Sequence, residues 1–112
     1  MIHHIAIFTP SPETLAKFYR TILNLEEPIA VHKTPEGNVR SVWLSLGKTI
    51  LMLEKGEVHP GNVVIFDLPK HYKKLIEESI VQMEKRTEFT IYFSDSSGNK
   101  IGFSTYPEPL PF

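Results

Sequence analysis

The stretch HIAIFTPSPETLAKFYRTILNL, residues 4–25, decides the fold class because it encodes a strand followed at once by an amphipathic helix. Residues 2–9 are rich in β-branched and aromatic types, which predicts a strand. Ser11 is the expected N-cap, with Pro12 at the first helical position, where its missing N–H costs nothing. The apolar face of the helix comprises Leu15, Phe18, Tyr19, Ile22 and Leu23. Asn24, which tolerates the left-handed conformation, is expected to end the helix.

The order of predicted elements repeats along the chain. The further strands are predicted at residues 28–33, 39–46, 49–53, 62–66, 80–83, 89–94 and 100–106, and a second helix at residues 69–79. Strand, helix and three strands thus occur twice, which predicts an α+β domain made of two similar modules. A chain of 112 residues accommodates one domain. We expect module one at residues 1–57, module two at 58–106 and a proline-rich tail at 107–112.

Composition excludes several classes of partner. The net charge is -1 and the lysines and arginines are interspersed with acids, so no basic stripe predicts nucleic-acid binding. No apolar run approaches the length of a membrane span, and residues 1–5 lack the features of a signal peptide. The sequence contains no cysteine, which excludes disulfides and cysteine-based zinc sites. We therefore expect a cytoplasmic protein without nucleic-acid or membrane partners.

Alternation along the strands separates two predicted faces. One face is aliphatic or phenylalanine, as a core beneath helices requires, and comprises Ile5, Ile7, Val42, Leu44, Leu46, Leu51, Leu53, Val63, Ile65, Ile91, Phe93, Ile101 and Phe103. The other face mixes aromatic and polar side chains, as ligand sites do. Its predicted ligand-binding residues are His4, Phe8, Trp43, Met52, Asn62, Phe66, Tyr92, Ser104 and Tyr106. The mixed face predicts a small-molecule cavity; the alternative is a face covered by another subunit.

Three motifs resemble one known family. They are HIAI at residues 4–7, FYRTILNL at 18–25 and FSDSSGNKI at 93–101. Together they are similar to the vicinal oxygen chelate superfamily, which includes glyoxalase I, bleomycin resistance proteins, fosfomycin resistance enzymes and extradiol dioxygenases. Asn24 replaces the glycine of the family's helix signature, and Ser96 replaces the proline of its turn signature. The resemblance implies two βαβββ modules that form a half-open curved sheet.

The resemblance also implies four metal-ligand positions, which fall on His4, Met52, Asn62 and Gly102. Of these, only His4 is a residue that the family uses. A thioether and a glycine do not provide the hard donors of a Zn, Ni, Mn or Fe site. A shifted alignment would instead bring together His4, Glu54 and His59, a set acceptable to zinc or iron. The mismatch at these ligand positions favours a protein without a metal cofactor. The alternative set of ligands would still allow a divalent metal (Zn, Ni, Mn or Fe) to bind. His3, His32 and His71 are expected to be structural or solvated.

Three functions remain compatible with the sequence. The first is a small-molecule-binding protein of the bleomycin resistance type, whose aromatic residues would stack on a flat aromatic molecule. The second is a metal-dependent lyase or dioxygenase of the glyoxalase type, with Glu54 as the catalytic proton carrier. The third is a structural or regulatory dimer. We expect a homodimer in any of these cases, because members of the family often pair.

Overall fold

The computed structural model describes residues 2–58 and 63–112. The chain forms two compact units, Met1–His59 and Pro60–Phe112. The elements are β1 His4–Thr9, α1 Pro12–Leu23, β2 Ala30–Lys33, β3 Val39–Leu46, β4 Thr49–Lys55, β5 Val63–Asp67, α2 Tyr72–Glu77, β6 Lys85–Arg86, β7 Thr90–Ser94 and β8 Lys100–Ser104. The predicted order, one helix and four strands in each half, is confirmed.

The first unit is a four-stranded sheet in the order β1-β4-β3-β2, in which β1 runs parallel to β4 and the other pairs are antiparallel. Helix α1 packs on β1, β3 and β4. Its start and end follow the sequence: Ser11 accepts a hydrogen bond from the Thr14 N–H, and Asn24 has φ 53°. The buried core comprises Ile7, Leu15, Tyr19, Ile22, Val42, Leu44, Leu51 and Leu53. Burying each of these side chains contributes about 1.5–3 kcal/mol.

The second unit repeats this arrangement with the strand order β5-β8-β7-β6, and β5 is parallel to β8. Its core comprises Leu75, Val81, Ile91, Phe93, Ile101, Phe103 and Leu110. The proline-rich tail lies on this unit: the Leu110 N–H donates to the Glu88 carbonyl, and the Phe112 ring stacks on Tyr72 at 4.9 Å. None of the helices in the described residues is long and apolar enough to span a bilayer.

Several predicted boundaries change in the structure. The strand predicted at residues 80–83 is wrong: Val81 is a buried core residue outside any strand, and the edge strand β6 is Lys85–Arg86. The predicted second helix is shorter, Tyr72–Glu77, and β8 ends at Ser104 rather than at Tyr106. His59 and Asn62, two of the predicted site residues, lie outside the described residues.

Asp95 organises the turn between β7 and β8. Its Oδ1 accepts hydrogen bonds from the Ser97 and Asn99 backbone N–H groups at 2.9 Å, and its Oδ2 accepts one from Asn99 Nδ2 at 2.8 Å. The side chain is only 5% exposed. Hydrogen bonds to a charged acceptor stabilise more than neutral ones, and unpaired buried donors are costly. Asp95 therefore holds the hairpin that carries two core strands.

We expect Asp95→Ala to lower the free energy of unfolding by about 2–3 kcal/mol, because the donors that it leaves behind lose their acceptors. Urea denaturation monitored by circular dichroism measures this difference. Asp67→Ala is the matched control, since Asp67 is an exposed carboxylate at the end of β5; its effect should stay within about 0.5 kcal/mol. Equal losses in the two variants would contradict the role of Asp95.

Candidate functional site

The sheet of the first unit has one face that opposes its core, and we call it the mixed face. Cross-strand pairing arranges the side chains of this face in three rows. The Glu54 row comprises His32, Ser41, Glu54 and Phe8; the Trp43 row comprises Ala30, Trp43, Met52 and Ala6; the His4 row comprises Ser45, Ile50 and His4. Strand alternation places these side chains opposite Leu44 and Leu51, which pack beneath α1. The rows bring aromatic, aliphatic and polar groups onto one surface.

Register separates two of the predicted metal ligands. His4 pairs with Ile50, whereas Glu54 pairs with Phe8, so the His4 row and the Glu54 row are four positions apart along β4. At the rise of an extended strand this distance is about 13 Å. His4 and Glu54 therefore do not share one ion, and the predicted pairing of the two is wrong. Within residues 2–58 and 63–112, no three histidine or acidic side chains are grouped to hold a metal.

Glu54 is fixed by its neighbour across the sheet. The Ser41 hydroxyl donates to Glu54 Oε1 at 3.1 Å, and Ser41 is 1% exposed. Glu54 is half-buried and forms no ion pair with any part of the chain that the structure describes. The carboxylate is therefore oriented by the sheet and not neutralised by a neighbouring cation.

Trp43 and His32 form an edge-to-face pair on the mixed face, with ring centroids 4.7 Å apart. Trp43 Nε1 and His32 Nε2 are buried and have no hydrogen-bond partner among the described residues. His32 is expected from the sequence to be structural or solvated, and its place beside Trp43 is not predicted. Alternation along β2 places His32 on one face of that strand. Placing it beside Trp43 also requires the register between β2 and β3, which shifts between His32 and Lys33.

The corresponding face of the second unit differs in composition from the prediction. Its rows comprise Val63, Lys100 and Ser94; Ile65, Gly102, Tyr92 and Lys85; and Asp67, Ser104 and Thr90. Tyr92 lies on this face, with Lys85 Nζ 6.0 Å from its ring centroid. Val63 and Ile65 are 49% and 43% exposed, which contradicts their prediction as core residues.

Phe66 is assigned to the wrong face by the sequence analysis. It pairs with Phe103, a core residue 1% exposed, and its side chain therefore shares the core face of β8. The prediction of Phe66 as a ligand-binding residue is wrong for this reason.

Ser104 and Tyr106 also differ from their predicted roles. The Ser104 hydroxyl accepts from Thr90 Oγ1 at 2.9 Å and from the Tyr106 N–H at 3.2 Å, and it donates to the Phe89 carbonyl at 3.2 Å. Its hydrogen-bonding capacity is used within the protein. Tyr106 lies beyond β8, is 74% exposed and packs its ring edge-to-face on Phe89. Ser104 therefore offers no free hydroxyl on this face of the second unit, and Tyr106 lies outside the strands that form it.

The positions that the family resemblance assigns to a metal do not fit one. Met52 lies in the Trp43 row and supplies only a thioether. At Gly102 even a β-carbon would lie 2.7 Å from the Ile91 carbonyl oxygen and 2.9 Å from Ile65 Cδ1. This position therefore has no room for a ligating side chain. His4 is exposed, and its Nδ1 lies 3.0 Å from Nδ1 of His3.

A cleft of about 370 Å³ lies elsewhere in the first unit, at the start of α1. Its lining comprises Pro10, Ser11, Pro12, Glu13, Thr34, Asn38, Val39, Arg40 and Lys55. Lys55 Nζ donates to the Pro10 carbonyl at 2.6 Å. None of the predicted site residues lines this cleft.

Comparison with known proteins identifies relatives of the chain. The family model described as Glyoxalase/Bleomycin resistance protein/Dioxygenase superfamily matches residues 1–103. A search of curated proteins gives no match.

Solved structures share the fold at low sequence identity. A variant of the fosfomycin resistance protein FosX from Listeria monocytogenes, complexed with Mn(II) and a dihydroxypropylphosphonic acid, has a TM-score of 0.73 at 16% identity, covering 93% of this chain and 90% of that one. Lactoylglutathione lyase from Agrobacterium tumefaciens has a TM-score of 0.67 at 17% sequence identity, and the match covers 93% of this chain and 92% of that one. TioX from Micromonospora sp. ML1 has a TM-score of 0.67 at 11% sequence identity, and the match covers 98% of this chain and 99% of that one. At these identities the likeness establishes the fold.

Proposed function

The chain belongs to the glyoxalase/bleomycin resistance protein/dioxygenase superfamily, and on that basis we propose that it binds a small aromatic molecule on the mixed face of its first unit. The Trp43 row carries this proposal. Trp43 and Met52 are opposite each other across β3 and β4, and Ala30 and Ala6 bound them on the outer strands. Small side chains beside large ones leave space next to the indole, and aromatic molecules pack on such surfaces.

The donors present support binding without a metal. FosX holds Mn(II) in its complexed structure. In this chain Met52 and Gly102 occupy two of the positions implied for ligands, and neither can supply an oxygen or imidazole donor. The residues therefore do not fit a catalytic metal, and we assign no metal-dependent step to the protein. On the described part of this face, the groups that would support the lyase or dioxygenase alternative are His4 and Glu54, which lie in different rows.

Intrinsic fluorescence tests the proposal, because Trp43 is the single tryptophan. We expect a panel of flat aromatic compounds to include members that quench its emission saturably, with no change when EDTA is present. Met52→Ala should weaken binding by about three- to tenfold, which corresponds to roughly 1 kcal/mol of lost contact.

Met83→Ala is the matched control, since Met83 is 40% exposed and lies in the second unit; it should leave the affinity unchanged. The proposal fails if no compound quenches saturably, or if EDTA abolishes binding.

Homodimer formation and cytoplasmic location stay predictions from the sequence. A monomer of about 12.8 kDa in sedimentation experiments would contradict the first of them.

A further inference from the structure

Resting on the proposed function, we propose that the molecule bound on the mixed face carries a positive charge, and that this charge lies against the carboxylate of Glu54. The binding of an aromatic molecule and the preference for a cation are separate claims. The first depends on the Trp43 row, and the second depends on the Glu54 row, which is adjacent to it on the same strands.

Glu54 is oriented for such a contact. Ser41 lies directly across from it on β3 and donates to Oε1 at 3.1 Å. No hydrogen bond from the described residues reaches Oε2. Because Ser41 is buried, its hydroxyl holds the carboxylate in one direction, and the second oxygen remains free for a ligand.

The charge on the mixed face is unbalanced. The three rows contain one carboxylate and neither lysine nor arginine. A carboxylate without a cationic partner among the described residues attracts an incoming cation. An anion would instead be repelled by Glu54, and the rows contain no lysine or arginine that could form an ion pair with it. The face therefore favours a cation over a phosphonate or carboxylate ligand.

Aromatic rings on both sides reinforce the preference. Phe8 lies opposite Glu54 on β1, and Trp43 is its diagonal neighbour on β3, at a Cβ separation of about 7–8 Å. A cation near the face of either ring is attracted by the ring quadrupole. A flat molecule on Trp43 with a cationic nitrogen at one edge would meet the indole and the carboxylate together.

Two probes of the same shape separate charge from stacking: 1-methylquinolinium, which is permanently cationic, and 1-methylnaphthalene, which is neutral. Equilibrium dialysis gives the affinity of each without relying on quenching. We expect the wild-type protein to bind the cation about tenfold more tightly. Glu54→Gln should reduce this ratio to about one while the neutral probe binds as before, which also shows that the variant is folded.

Two further variants complete the experiment. Glu57→Gln removes an exposed carboxylate shortly after β4 and should preserve the ratio. Ser41→Ala removes a positioning residue and should lower the ratio about threefold without changing the neutral affinity.

Each remaining outcome overturns a stated claim. If both probes bind the wild type equally, the cation preference is wrong and the proposed function stands. If the ratio survives Glu54→Gln, Glu54 is not the group that the cation contacts. If neither probe binds, the proposed function and this inference both fail.

Discussion

Replacing Gly102 with glutamate is expected to unfold the second unit, although it places a carboxylate at a position that the family resemblance assigns to a metal ligand. Its β-carbon would lie 2.7 Å from the backbone oxygen of Ile91, which cannot move without disturbing the β7–β8 ladder. Overpacking of this kind costs about 1–3 kcal/mol.

Urea denaturation and a Mn(II) titration measure the two consequences of Gly102→Glu. We expect a destabilised variant that gains no affinity for Mn(II). Ser94→Glu is the control on the same face, because Ser94 is half-buried beside Lys100 and should accept a carboxylate. A stable Gly102→Glu protein that binds Mn(II) would show that this position can accept a metal ligand after all.

Phe93→Ala is expected to lower the free energy of unfolding by about 3–5 kcal/mol, the range for a fully buried phenylalanine. Phe93 is 0% exposed and packs its ring 4.9 Å from that of Phe103. Removing it leaves a cavity between the two central strands of the second unit. Chemical denaturation followed by circular dichroism measures the loss.

Its neighbour Tyr92 provides the matched comparison. The two residues are adjacent in β7, but Tyr92 faces away from the core and is half-buried. Tyr92→Ala should therefore cost about 1 kcal/mol, a typical value for substitutions outside a core. If Tyr92→Ala lowered the free energy of unfolding as much as Phe93→Ala, or more, the assignment of the two faces would be wrong.

The first unit is the part of the fold that sequence reasoning predicts best. Helix α1 begins after Ser11 and ends at Asn24, as its capping chemistry requires. Strands β3 and β4 alternate between apolar and polar or aromatic residues, so their two faces are assigned correctly from Val42 to Leu53. Each of these signals is local, which is why one sequence suffices to detect it.

Strand β5 is predicted poorly because four of its five residues are apolar and do not set its phase. Residues 63–66 are Val-Val-Ile-Phe, so either alternation places apolar side chains in the core. The parallel pairing with β8 decides between them and puts Phe66 opposite Phe103. Long-range pairing of this kind is not encoded in a short window of sequence.

The sequence predicts which residues share the face of the candidate site, but it does not predict which of them lie close together. Sequence alternation correctly places His4, Trp43 and Glu54 on one face. It does not say how far apart they lie along the sheet, which depends on register, and His4 and Glu54 are separated for that reason. The contact between His32 and Trp43 is also not predicted, because the two residues lie on different strands and only the pairing of those strands brings them together.

The parallel pairs have a consequence for how the chain acquires its structure on the ribosome. His4 pairs with Ile50, and Val63 pairs with Lys100, so the leading strand of each half must wait for the last strand of that half to be synthesised. Such distant pairings slow folding and leave apolar segments unprotected in the meantime. We therefore expect β1 to be protected from proteases once residue 55 has emerged from the ribosome, but not when only the residues up to Leu46 have emerged.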